Sequence, residues 1–238
     1  MYLNVSKTKI FTTDKTTLSA DIRVNGQILE KVNSFEYLGS LITCDGKCIR
    51  EIKKRLNIAI VKIKQLQNIW KGTDITTKLR FLRACVFPIA TYGCETWTID
   101  RSSEKIINAF ECKCYRRILR IPWTEKRTNM SILQQLNIPE NWLLKHIKKR
   151  KIKYFGHIKR HDGLEKIILE GMVPGKRGRG RPRRRLVQDI TDVLGMTAAG
   201  AGHLAQDRVK FRTAVMGESS SRDKQIDRSS RGDKQIDR

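Results

Sequence analysis

Acidic residues are scarce in this chain: 24 Asp and Glu stand against 49 Lys and Arg, a formal net charge of +25 over 238 residues. That imbalance points to an anionic partner, and nucleic acid is the commonest. Long apolar runs are also missing. None approaches the roughly 18 residues needed to span a bilayer, so no membrane partner is expected. The start, Met1-Tyr2-Leu3-Asn4-Val5, has neither an extended apolar core nor a small-residue cleavage site, so it does not read as a secretory signal. The six cysteines are therefore expected as reduced thiols of a nuclear or cytoplasmic protein, not as disulfides. Two glycosylation sequons, Asn4-Val5-Ser6 and Asn129-Met130-Ser131, carry little weight without secretion.

What is present is organised around residues 32–71, a β segment running into a long basic helix. After Cys44-Asp45-Gly46, apolar residues recur at Ile49, Ile52, Leu56, Ile60, Ile63 and Trp70, a single stripe at helical spacing. The other faces carry Lys47, Arg50, Lys53, Lys54, Arg55, Lys62 and Lys64. Such a helix can lie along a phosphate backbone, or it can be the solvated helix of a basic protein. Residues 10–43 read as β. Asn25-Gly26 predicts a type I′ hairpin between residues 22–24 and 27–29, with a third strand over 35–42.

Beyond Asp74 the pattern is helical. Asp74 can cap a helix through Leu79, Leu82, Val86 and Ile89, with Pro88 predicting a kink or break. A second helix starts after Ser102 or Ser103 and carries Ile106, Ile107, Phe110, Tyr115, Ile118 and Leu119. Thr128 or Asn129 caps a short third one. A long fourth runs over 141–161, with Lys148, Lys149 and Arg150 in its middle, and two amphipathic pieces follow at 186–194 and 203–215. Between them, seven of the eleven residues from Gly175 to Arg185 are cationic. This stretch has no apolar side chain to build a core and is expected to be mobile until bound. The tail is a low-complexity repeat, Ser221 to Arg228 recurring with one added Gly.

Several of these stretches resemble the C-terminal part of non-LTR, LINE-type retrotransposon reverse transcriptases. Phe35-Glu36-Tyr37-Leu38-Gly39-Ser40 is similar to the family's primer-grip hairpin, and Asn4-Val5-Ser6-Lys7-Thr8 to the motif that follows the polymerase active-site strands. Tyr92-Gly93-Cys94-Glu95-Thr96-Trp97 and Phe155-Gly156-His157-Ile158-Lys159-Arg160 resemble two further signatures, in family order. The resemblance implies that Lys7 would lie near an incoming nucleotide, and that Phe35, Tyr37, Leu38 and Gly39 would position a primer strand. Phe35 and Tyr37 can equally pack under the next helix. Nothing in the chain resembles the Asp-Asp pair that holds two Mg²⁺ ions in the parent polymerase, so no cofactor and no polymerisation by this chain alone are expected.

The fold expected is mainly α with a small N-terminal antiparallel β hairpin or meander: a thumb-like helical bundle, then a flexible basic arm and tail. The divisions are a primer-grip-like remnant of the palm at 1–45, a thumb-like domain at 46–170, a basic Gly/Arg linker at 171–185, C-terminal helices at 186–216 and a disordered tail at 217–238. Candidate nucleic-acid contacts are Lys53, Lys54, Lys62, Lys148, Lys149, Arg150, Arg177, Arg179, Arg181, Arg183, Arg184 and Arg185. Their partner would be an RNA–DNA hybrid, duplex DNA or RNA, and Trp70, Trp123 and Trp142 could stack on bases or pack in the core. Arg179-Gly180-Arg181-Pro182 also matches the core of an AT-hook, which enters the narrow minor groove of A·T-rich DNA; the same stretch can be a nuclear-localisation signal or a polyelectrolyte arm. Cys112, Cys114, His157 and His161 are weak candidates for a zinc set, because a Cys-x-Cys pair in a helix points its side chains about 200° apart. Three readings stay open beside the nucleic-acid-binding fragment: a piece of an active polymerase, a stand-alone AT-hook protein, and a degenerate remnant. Composition says nothing of the oligomeric state.

Overall fold

The computed structural model describes residues 4, 5, 7–12, 21–68, 70, 72–122, 124–171 and 184–217. Among them the chain is mainly helical, with short strands confined to the N-terminal part. It divides into two compact units, Met1–Lys145 and His146–Arg238. The division falls inside one helix, so the expected domain at 46–170 includes parts of both.

Among the described residues the first unit opens with six strands: β1 (Lys9–Ile10), β2 (Arg23–Val24), β3 (Gln27–Ile28), β4 (Glu30–Lys31), β5 (Ser34–Tyr37) and β6 (Ser40–Thr43). They form three two-stranded ladders, not one meander. β2 and β3 pair antiparallel through Asn25 and Gly26, both at positive φ (52° and 77°), as the Asn-Gly pair requires. β1 and β4 pair in parallel, a contact between segments far apart in sequence. β5 and β6 form a second hairpin, with Phe35 opposite Ile42 and Tyr37 opposite Ser40. The single third strand expected over 35–42 is therefore folded back on itself. Leu38 and Gly39, at φ 47° and 80°, supply the turn.

Helix α1 (Ile49–Gln65) follows, continued by a 3₁₀ turn over Leu66–Asn68. Ile52, Leu56, Ala59 and Ile63 are buried, as the apolar stripe predicts. Each fully buried Ile or Leu contributes roughly 1.5–3 kcal/mol. α2 (Ile75–Phe81) is capped by the Asp74 carboxylate, which accepts from the Thr77 amide at 3.0 Å. The break expected at Pro88 is a π-helical stretch, Leu82–Val86, leading into α3 (Phe87–Ala90). Proline lacks an amide proton and crowds the carbonyl four residues back, and a wider turn relieves both.

α4 (Arg101–Ile118) starts earlier than expected, because Asp100, not Ser102 or Ser103, caps it by accepting from the Ser103 amide at 2.7 Å. α5 (Asn129–Gln135) is capped by Thr128. α1 packs on α3 and α4, and α4 also meets α2 and α5. The core holds Ile52, Ile63, Leu82, Phe87, Trp97, Ile107, Tyr115 and Ile118.

α6 (Trp142–Arg160) carries the chain into the second unit, which adds α7 (Leu164–Glu170), α8 (Leu186–Leu194), α9 (Ala198–Gln206) and α10 (Arg208–Gly217). The single piece expected over 203–215 is two helices, parted at Asp207, which caps α10 by accepting from the Val209 and Lys210 amides. Ile152 and Phe155 of α6 join Ile190, Ala201, Ala205, Phe211 and Val215 in one core. The C-terminal helices are therefore packed elements. Among the described residues, no helix is long and apolar enough to cross a membrane.

Candidate nucleic-acid interface

The β5–β6 turn is a strained element held from two sides. Leu38 adopts a left-handed conformation that a side chain other than Gly rarely takes without support. Arg55 of α1 donates from Nη2 to the Gly39 carbonyl at 2.5 Å, and the Tyr92 hydroxyl donates to the Leu38 carbonyl at 3.0 Å. Gly39 is needed twice over, for its positive φ and because a Cβ there would lie 3.3 Å from the Arg55 guanidinium. Gly93, at φ 66°, likewise lets Ser40 approach, its Oγ lying 3.1 Å from where a Cβ would be.

Arg55 is fixed by its own helix. Glu51, one turn earlier and buried, accepts from Arg55 Nε and from the Leu41 amide, each at 2.8 Å. The guanidinium also lies 4.3 Å from the centre of the Tyr92 ring, within cation–π reach. Arg55 thus leaves the outer cationic face where the helical pattern placed it and becomes the bracket between α1, the hairpin tip and the loop after α3. Sequence reasoning missed this role, although Glu and Arg four apart on a helix are a readable pair.

The hairpin presents one face to solvent. Strand alternation puts Phe35, Tyr37 and Ile42 on the face away from Thr43, which is buried. Phe35, Tyr37 (59% exposed), Leu38 (76%), Ile42 and Tyr92 are all exposed. Phe35 and Tyr37 therefore do not pack under the following helix, the alternative their β-prone character allowed. Glu36, between them, pairs with Lys54 at 2.8 Å, and this contact holds its carboxyl below the usual range. Lys54 is thereby engaged within the protein, Lys53 is exposed and Lys62 is half-buried. Lys7 sits on an exposed turn, its amide donating to the Asn4 carbonyl at 3.2 Å.

A second bracket fixes the start of α6. The Glu111 carboxylate, fully buried on α4, accepts from the Trp142 amide at 2.9 Å, the Leu143 amide at 3.1 Å and the Tyr115 hydroxyl at 2.6 Å. A carboxylate from another helix thus does the work of an N-cap. Burial raises the Glu111 carboxyl above its ordinary value, against the opposing pull of these donors. Trp142 stacks on Phe87 with ring centres 5.5 Å apart, and Arg83 lies 5.1 Å from its ring. Trp70 is buried. Both are packing residues in this fold, whereas Trp123 lies outside the described residues. The signal for Glu111 was present but unread: a carboxylate within an otherwise apolar helical stripe.

In the second unit, Lys148, Lys149 and Arg150 are half-buried, and the next residue, Lys151, is only 2% exposed. Lys151 pairs with the buried Asp189 of α8, which Arg184 also contacts; Arg184 reaches Asp192 as well, at 2.5 Å. Arg184 is thus committed to two carboxylates. Arg185 is exposed at the start of α8, where its amide donates to Gln188 at 2.8 Å. Arg177, Arg179, Arg181 and Arg183, with the AT-hook-like core, lie outside the described residues.

The Phe155–Arg160 signature resolves into packing roles for three of its members. Phe155 is in the core, Gly156 admits the Phe211 ring, and Arg160 donates to the Ala205 carbonyl at 2.8 Å. A Cβ on Gly156 would lie 2.2 Å from Phe211. His157 is exposed. Cys112 and Cys114 are buried on α4, and burial pushes both thiols up. Among the described residues, no three His, Cys, Asp or Glu side chains gather as a metal set.

No family model matches the chain, and no solved structure matches it. It is similar to a protein of Caenorhabditis elegans described as transposon-derived, with 26% identity over 203 residues, 79% of this chain and 71% of that protein.

Proposed function

We propose that this chain is a transposon-derived nucleic-acid-binding module, similar to the primer-grip and thumb region of a LINE-type reverse transcriptase, that grips an RNA–DNA hybrid or duplex without catalysing a reaction itself. The observation that carries this reading is the convergence of stretches far apart in sequence, residues 35–40, 51–55 and 92–93, on one exposed hairpin tip. A module evolved only for stability would gain little from holding Leu38 in a strained conformation with its side chain in water. Residues 32–65 carry seven Lys and Arg against three Asp and Glu, and all three acids are engaged inside the protein. The surface is therefore suited to phosphate. Lys53 and Lys62 would meet the backbone in the first unit; in the second, Lys148, Lys149, Arg150 and the cations of the 175–185 arm would make contacts of their own. The transposon-derived relative supports this origin.

The test is binding of the purified chain to a labelled RNA–DNA primer hybrid and to A·T-rich and G·C-rich duplexes across a salt series. On duplex DNA the expected slope of log K against log salt is roughly −0.9 per phosphate neutralised. Changing Tyr37 and Leu38 to Ala should weaken the hybrid more than the duplexes. Equal loss on all three ligands would leave only a polyelectrolyte, and salt-insensitive binding would overturn the reading.

A further inference from the structure

His157 is the member of the Phe155–Arg160 signature that packing leaves unexplained. Its neighbour in space is His161, one turn on in sequence, with ring centres 4.3 Å apart. Both rings are exposed at the end of α6. We propose that His157 and His161 form a two-histidine site for a divalent transition-metal ion such as Zn²⁺ or Ni²⁺.

His161 directly follows the last residue of α6, its amide donating to the Ile158 carbonyl at 3.2 Å, and rings with centres 4.3 Å apart leave room for one ion at about 2.0–2.1 Å from a nitrogen of each. Imidazole suits Zn, Ni and Cu better than the hard cations. The surroundings also favour a cation more than the net charge suggests. The last turn of a helix carries the negative end of its dipole. Lys159 is engaged by Glu170 at 2.6 Å, and Arg160 by the Ala205 carbonyl. No third protein ligand gathers there among the described residues, so the remaining positions fall to water or to an oxygen of a bound partner. This differs from the four-ligand set with Cys112 and Cys114. A thiol must ionise to ligate, and burial opposes that at both cysteines.

The test is a titration of the full chain with Ni²⁺, followed by line broadening of its four histidine imidazoles, and with Zn²⁺ by calorimetry. His157 and His161 should broaden first, with His146 and His203 as internal references. Because the second ligand binds intramolecularly, His157→Gln or His161→Gln should each weaken binding by about 100-fold. The double variant should lose the site with its thermal transition unchanged. Equal broadening of all four histidines, or undiminished binding of one equivalent by the double variant, would overturn the proposal.

Discussion

The two units bury charge in opposite ways. In the first, beside a buried Lys78, two buried carboxylates join chain segments: Glu51 accepts from the Leu41 amide and from Arg55, and Glu111 from two amides at the start of α6 and from the Tyr115 hydroxyl. In the second, a buried lysine and a buried aspartate pair directly, and the small residues Gly156, Ala201 and Ala205 let helices approach closely. A carboxylate with two acceptor oxygens can join chain segments by their backbones and so orient a hairpin or a helix start. An ammonium–carboxylate pair joins side chains only, and fastens elements already packed. The first arrangement builds a surface; the second closes a core.

This contrast can be broken most severely at Asp189. Asp189→Ala would remove the buried carboxylate paired with the buried Lys151, at a cost of about 3–5 kcal/mol. Hydrogen exchange should then rise in α8–α10 and stay unchanged in α1–α3; a rise shared by both units would show that they do not unfold separately. Replacing the pair together, Lys151→Met with Asp189→Leu, should recover most of the loss in a denaturant titration.

Glu111→Ala should come next, at about 3 kcal/mol, since two amides and a buried hydroxyl lose their acceptor. Its pH dependence has a definite sign. The folded carboxyl is raised, so the native state holds its proton more tightly than the unfolded chain does. The contribution to stability is fullest below the ordinary glutamate range and is lost as pH rises through the folded value. Thermal melts from pH 4 upward should show this decline, and Glu111→Gln should remove it.

Gly156→Ala is expected to cost about 1–3 kcal/mol, because Phe211 must move to admit the new methyl. A combined Gly156→Ala and Phe211→Leu variant should be less destabilised than the sum of the two single changes. The smallest effect is on the hairpin tip. Tyr92→Phe removes one exposed hydrogen bond, about 1 kcal/mol or less, and should leave the melting temperature almost unchanged. Hybrid affinity should nonetheless fall, because the Leu38 turn loses one of its two brackets. A variant equal to the parent in both would detach the turn's geometry from binding.

How far the sequence could be read depended on the range of each interaction. The Asn25-Gly26 turn, the Asp74 and Thr128 caps, and the stripe of α1 were legible because each is closed within a few residues. The Leu38-Gly39 turn was harder, since only the resemblance, not the alternation of residues 35–42, marked a hairpin there. The start of α9, residues 198–202, went unread because Ala and Gly carry too little apolar contrast to show a period. Of the candidate contacts, Lys53 is exposed as expected, while Lys54 and Arg184 are held by acids of the same chain.

By itself, then, the sequence determined the helical class, the positive charge and the local caps and turns, all of which depend on composition or on neighbours in the chain. Only the tertiary structure decided which charges remain for a partner and which are spent inside. Arg55 reaches a carbonyl 16 residues away, Tyr92 one 54 residues away, and Lys151 a carboxylate 38 residues away. A buried charge needs a partner wherever the fold supplies one, and that choice is not written in the spacing of residues along the chain.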